Sequence, residues 1–412
     1  MPRSTTVRGS FRPSSRDNRG VSDAHRPSRP TGLGVVLGIT LLTLAFGYLL
    51  KLPCLTGPWD GRQYTRLCYS DVMALSAIGE DGTPPAVEAE KYPAGTNYLM
   101  RLVSLPAESF VSFFNWTALL WTGAALFTSW VLYRLVGMRA LFFAGAPTLL
   151  IYGFMNWDLP LVALATVGTA AYLRGRDGPT GTFLGLASAI KIPYPGFLVV
   201  PFAAWRARQG RRVDAGRLAA AALLAWVAVN LPFALVAPRR WFFAFEFNAG
   251  RSADWDTIWF LLQRHLEVTF SPATVNLLAL VLFVVACAAV WRLAVLRSPT
   301  VEWWTLGFAF LVCYLLTGKV FSPQWTLWLL PWFALVLPDW RLFAAFEVSD
   351  VAVFVTRFLW FAELSGAGGV PFEAFEVALI ARAVVLVACV VAWLRTLAPE
   401  PAAASAAVPE AA

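Results

Sequence analysis

Apolar and polar positions alternate along this chain in long blocks, with hydrophobic runs separated by short connections rich in Arg, Pro and Gly. A helix needs about 17 predominantly apolar residues to cross hydrocarbon. Shorter runs qualify as broken passages where Pro or a charge interrupts them. The pattern predicts about twelve passages, at 33–50, 111–133, 140–155, 158–173, 180–191, 194–206, 217–237, 272–295, 302–317, 322–338, 343–361 and 376–396. The expected fold is therefore an all-α, polytopic membrane domain over 33–396, with 1–32 as a basic disordered tail and 397–412 as a low-complexity one.

Arginine sets the expected orientation. Arg134, Arg139, Arg174, Arg176, the run from Arg206 to Arg217, Arg292, Arg297 and Arg341 fall in alternate connections. Positive residues stay on the cytoplasmic side, so those connections and both termini are expected there. All four lysines, Lys51, Lys91, Lys191 and Lys319, then lie on the opposite side. Two outer connections are long, about 51–110 and 238–271, and their aromatic content argues for order at the membrane surface. Within the second, 241–248 (WFFAFEFN) reads as an interfacial segment rather than a passage.

Composition agrees with this picture and excludes others. The chain is 58% hydrophobic and 14% charged, too apolar for one water-soluble core. Its net charge of +8 sits in the tail and the short connections, which is membrane sidedness and not a nucleic-acid footprint. The first apolar run follows a long tail and precedes no small-residue cleavage site, so it is expected to be retained. Cys287, Cys313 and Cys389 sit in apolar runs. Cys54 and Cys68 share the first outer connection, where both the thiol and the disulfide states are open. No phosphate-binding glycine loop, dinucleotide fingerprint or metal-ligand spacing occurs, so neither a nucleotide-driven pump nor a zinc enzyme is expected.

The candidate chemistry gathers on the outer face. Asp71, in CYSDV, is placed to take a proton from a hydroxyl; its other reading is a helix cap or a solvated loop residue. Asp60, in GPWDG, reads as a turn residue. In AIKIPYPG (189–196), Pro193 and Pro195 break the helix beside Lys191, leaving free backbone groups that only a protein or water-lined cavity tolerates. Lys191 and Lys319 each end a passage and suit a lipid-linked phosphate, or else snorkel as anchors. Arg251 is a third phosphate ligand or pairs with Asp254 or Asp256. Asn156, Trp157 and Asp158 form an outer turn in which Asp158 suits a helix cap. Gln324 and Trp325 suit a sugar, which stacks on aromatic faces and accepts amide hydrogen bonds. His265 reads as structural.

Together CYSDV, KYP (91–93), NWD (156–158), GLASAIKIPYP (185–195) and GKVFSPQW (318–325) resemble the integral membrane glycosyltransferases of family 87, in the GT-C superfamily. The resemblance spans about 34–396. It implies transfer of a sugar, mannose first among them, from a polyprenyl-phosphate donor to an extracytoplasmic glycolipid or polysaccharide acceptor, with inversion. It also implies Asp71 as general base, Lys191, Lys319 and Arg251 as donor-phosphate ligands, and Tyr69, Tyr92, Asn156, Asp158 and Gln324 in substrate binding or site support. No metal and no cofactor beyond the donor is implied. The chain departs from the family pattern at Glu90 and Lys91, where an acidic residue is expected directly before Tyr-Pro. Two other readings remain at this stage: a lipid-linked oligosaccharide flippase or secondary transporter, and a non-catalytic assembly protein. The absence of an internal repeat and the gathering of charge at one face favour the enzyme.

Overall fold

The computed structural model describes residues 30–57, 59–74 and 91–397. The tails 1–29 and 398–412, and Glu90, lie outside the described residues. Among those described, every regular element is helical. Helix α1 (Pro30–Leu55) runs past the expected end of its apolar segment. Lys51 is no boundary residue: it is fully buried on this helix and its ammonium donates to the Tyr69 carbonyl at 2.8 Å.

The first outer connection holds three short helices, α2 (Arg62–Thr65), α3 (Asp71–Ala74) and α4 (Ala94–Ser104). Helix α5 (Phe110–Val136) opens on a Ser109–Ser112 capping box, which satisfies its first free amides. Short helices α6 (Leu141–Ala144) and α7 (Pro147–Tyr152) lead to α8 (Asp158–Leu173), α9 (Asp177–Ile190) and α10 (Val199–Arg208). Next come α11 (Arg212–Val236), α12 (Pro238–Gly250), α13 (Ile258–Leu266), α14 (Pro272–Arg297) and α15 (Leu306–Thr317). A 3-10 segment at Pro323–Leu329, α16 (Leu330–Val336), α17 (Trp340–Leu364) and α18 (Phe372–Thr396) complete the chain. Both long outer connections thus carry helices, and 241–248 lies within the 13-residue α12.

Among the described residues, five helices are long and apolar enough to cross a membrane: α1, the run from Phe110 to Ala144, α11, α14 and α18. Their outer surfaces are apolar. On α14, Leu277, Leu280, Val284 and Val285 are all exposed, an arrangement hydrocarbon accepts and water does not. The length and composition of these five helices are those of an all-α, membrane-embedded protein. The remaining expected passages are also helical over most of their length; 343–361 lies within the unbroken 25-residue α17, and the others are shorter or interrupted helices. Trp157, Trp328, Trp332 and Phe333 are almost fully buried.

Small residues let the inner helices approach. Helix α9 packs on α8 and α11, and Gly181 and Gly185 form a GxxxG face against α11. A Cβ added at Gly181 would lie 2.0 Å from the Leu218 carbonyl oxygen, and one at Gly185 2.2 Å from that of Ala222. Close backbone approach is how membrane helices associate without a hydrophobic drive between them. Gly185→Ala is therefore expected to destabilise the purified protein by about 1–3 kcal/mol, the usual cost of overpacking. A thermal unfolding midpoint equal to wild type would show that this contact is not made.

Buried polar groups tie the C-terminal helices to the centre. Arg382 of α18 donates to Asp350 of α17 at 3.2 Å, and Asp350 accepts from Thr326 at 2.9 Å and Thr148 at 3.1 Å. Glu347 accepts from both the amide and the hydroxyl of Thr148, at 2.7 and 2.8 Å. This network fixes the 3-10 segment that carries Gln324. At the opposite end of the bundle Asp177 accepts from Arg206 at 2.7 Å and Arg211 at 3.0 Å, so the arginine-rich end is stapled as well.

Candidate active site

Asp71 reaches its place through four independent ties. Cys68 is disulfide-bonded to Cys54, which settles the state left open by the sequence. Lys51 holds the Tyr69 carbonyl, and the Ser70 hydroxyl donates to the Phe154 carbonyl at 2.6 Å. The Asp71 amide donates to the Met155 carbonyl at 2.8 Å. Residue 156 follows directly, so one turn supplies both an anchor for the Asp71 backbone and a partner for its side chain.

That partner is Asn156, whose Nδ2 donates to Asp71 Oδ2 at 2.5 Å and to the Tyr92 hydroxyl at 3.1 Å. Its amide orientation is fixed because Oδ1 accepts from the Trp157 amide at 2.6 Å. Tyr69 donates to Asp71 Oδ1 at 2.9 Å, and Gln324 Nε2 stands 3.5 Å from Oδ2. The Asp71 charge, followed by burial, pushes the Tyr69 phenol well above its ordinary range. Burial first, and then Asp71, does the same for Tyr92. Both stay protonated. The capping explanation for Asp71 fails, because its side chain bonds Tyr69 and Asn156 while Ser70 Oγ accepts from the Val72 amide.

Tyr92 is delivered by α4. Thr96 donates to the Ile190 carbonyl at 2.7 Å, and Gly95 lies so close to α9 that a Cβ would fall 2.6 Å from the Ala189 oxygen. The KYP segment is thereby set against the break after α9. As the two prolines predict, Lys191, Ile192 and Pro193 form a cavity wall.

The cavity has a volume of about 910 Å³ and is lined by Tyr69, Asp71, Tyr92, Asn156, Lys191, Arg251, Lys319 and Gln324. Of the site residues expected from sequence, Asp158 alone is not on its lining. It sits behind the wall, fully buried, accepting from Lys191 at 2.8 Å on both oxygens and from Trp328 Nε1 at 2.9 Å. Two expectations change here. Asp158 does not cap α8, which begins without a side-chain cap; and the Lys191 ammonium is not a free cation, because it is held in a buried ion pair. Lys319 donates to the carbonyls of Ala249 at 3.0 Å and Arg251 at 2.9 Å. Burial, and then Arg251, brings its pKa down to about 8. Arg251 pairs with Asp254 at 3.4 Å.

No known family model and no curated protein matches the chain. Three of the four lysines line the cavity and the fourth, Lys51, holds the backbone next to Asp71. Asp60 lies in a turn at positive φ, beside Gly61 at φ 83°. His265 is exposed and pairs with Glu376, off the cavity lining.

Sequence reasoning missed Arg357. It stands inside the apolar α17 and lines the cavity with Tyr64, Trp255, Phe358 and Phe361. An arginine within a hydrophobic passage was the available signal, since such residues face a bundle interior or a cavity. The buried set Glu347, Asp350 and Arg382 carried the same signal.

Proposed function

We propose that this protein is a GT-C-type membrane glycosyltransferase, related in kind to family 87, that moves a sugar from a polyprenyl phosphate to an acceptor hydroxyl. The observation that carries the reading is a carboxylate, Asp71, oriented by Tyr69 and Asn156 and open to a cavity that Lys191, Lys319 and Arg251 also line. Sidedness supports it. The arginine-rich ends lie opposite this cavity, and positive residues stay inside, so the cavity opens on the extracytoplasmic face with both termini cytoplasmic and about twelve passages between. The disulfide beside Asp71 suits that oxidising side.

In the proposed reaction the acceptor oxygen attacks the anomeric carbon as Asp71 takes its proton. The new carbon–oxygen bond forms while the bond from that carbon to the phosphate oxygen breaks, and the polyprenyl phosphate leaves as an anion. Lys319, Arg251 and the remaining donor capacity of Lys191 stabilise its charge. Mannose is the sugar the motif resemblance favours. The test is transfer of radiolabelled mannose from mannosyl polyprenyl phosphate to membrane lipids by purified protein. Failure to bind any polyprenyl-phosphate sugar ends the reading.

A pH dependence follows from Lys319. Its pKa of about 8 leaves the ammonium charged below that value and neutral above it. Donor affinity is expected to fall as pH rises through about 8, and Lys319→Arg, which stays charged, should remove that fall. Donor binding flat from pH 6.5 to 9.5 in wild type would exclude Lys319 as a phosphate ligand.

A further inference from the structure

The cavity holds more positive charge than one phosphate requires, and the excess is set apart. Lys91 and Arg251 lie over the Phe247 ring of α12, and Lys319 is tied to the carbonyls at the end of that helix. Arg357 belongs to a different wall. Its guanidinium lies 5.1 Å from the Phe361 ring centre and 5.8 Å from those of Trp255 and Phe358. Phe358 in turn is 5.4 Å from Tyr69, which donates to Asp71. One aromatic layer thus separates Arg357 from the proposed base.

Arg357 is also poorly committed for a buried arginine. Its side chain is 12% exposed, and its charged partner is Asp256, 3.3 Å from Nε. That contact lacks hydrogen-bond geometry: Nε and both Asp256 oxygens are buried without hydrogen-bond partners, and none is found for the terminal amino groups of Arg357 among the described residues. Burial pushes the Asp256 carboxyl up to about 6, opposed in part by the Arg357 charge. Taking a guanidinium out of water costs several kcal/mol unless its donors are used. Ring faces return part of that cost. A carboxylate or phosphate bound by the fork returns more, and with directionality.

We propose that Arg357, with Trp255, Phe358 and Phe361, forms a second anion-binding subsite that selects an acceptor carrying a negatively charged group near its reacting sugar. The word acceptor rests on the glycosyltransferase reading; the anion site itself does not. The rings take the sugar face, Arg357 takes the charge, and the hydroxyl to be glycosylated is turned toward Asp71. At about 910 Å³ the cavity is near the upper end of ordinary ligand pockets, roughly 300–1,000 Å³, and has room for donor and acceptor heads together.

The test is equilibrium binding of tritiated methyl α-mannoside and its 6-phosphate to the full chain in detergent, with no donor present. Wild type is expected to bind the phosphorylated glycoside about tenfold tighter, the effect of one charge-assisted contact. Arg357→Gln should bring it to the level of the neutral glycoside. Asp256→Asn, which removes the competing carboxylate, should preserve or increase the preference. Equal binding of the two glycosides by wild type, or a preference surviving in Arg357→Gln, would overturn the subsite. So would loss of neutral-glycoside binding in both variants, the signature of a pair that merely holds the fold. Inorganic phosphate competing as well as the phosphorylated glycoside would make this a free-anion site and overturn its assignment to the acceptor. Donor-dependent transfer, assayed separately, judges the enzyme reading alone.

Discussion

Asp71→Asn is expected to lower sugar transfer by about 10²- to 10⁴-fold while leaving the protein folded and donor-binding intact. The magnitude is that of removing a positioned general base. The substitution isolates proton acceptance because asparagine has nearly the same shape. The Asp71 amide keeps its bond to the Met155 carbonyl, and the side-chain oxygen of the variant can still accept from Asn156 or Tyr69. What disappears is the negative charge and the ability to take a proton. Transfer and donor binding are measured on the same detergent preparation. Wild-type turnover by the variant would sink Asp71 as base; parallel loss of donor binding would assign it a binding role instead.

The second large effect concerns Lys191 and Asp158. Their ammonium and carboxylate are both buried and meet at 2.8 Å. Removing one member leaves an uncompensated charge, at a cost of about 3–5 kcal/mol. Lys191→Met and Asp158→Asn are each expected to lower the thermal midpoint sharply. The double variant, neutral throughout, should recover most of that loss, with the asparagine oxygen still able to accept from Trp328. This cycle separates two roles. A purely structural Lys191 predicts normal donor affinity in the rescued double variant, whereas a phosphate ligand predicts affinity reduced about tenfold or more. Single variants that unfold at the wild-type temperature would refute the buried pair.

The sequence was most legible where chemistry and hydrophobic period agree. The broken helix at Lys191–Pro195 was readable because two prolines beside a charge cannot continue a helix in hydrocarbon. The gathering of Asp71, Asn156, Gln324 and the lysines was readable from sidedness alone. Asn156, Lys191, Lys319 and Gln324 each lie where an apolar run ends or begins on the side opposite the arginines, and Asp71 and Lys91 lie in a long connection on that same side. Asp158 misled because Asp at a helix start is ordinarily a cap, and only the fold brings Lys191 and Trp328 to it. Arg357, Glu347, Asp350 and Arg382 were passed over inside apolar runs. Their partners come from other segments of the fold, at sequence distances no local pattern spans.

By itself the chain pointed to a helical protein suited to a membrane, because apolar runs of this length and number are poorly matched to water, and the described residues are helical in every regular element. It also indicated which end of the bundle carries the candidate site, since charge segregates between apolar runs. Tertiary structure alone decided the rest: that Cys54 and Cys68 join, that Lys191 is spent on Asp158, and that Arg357 faces the same cavity as Asp71. The reason is physical. A hydrophobic period fixes which residues enter the bilayer, while the partner of a buried charge is set by helix packing, through close approaches such as that of Gly185 to Ala222.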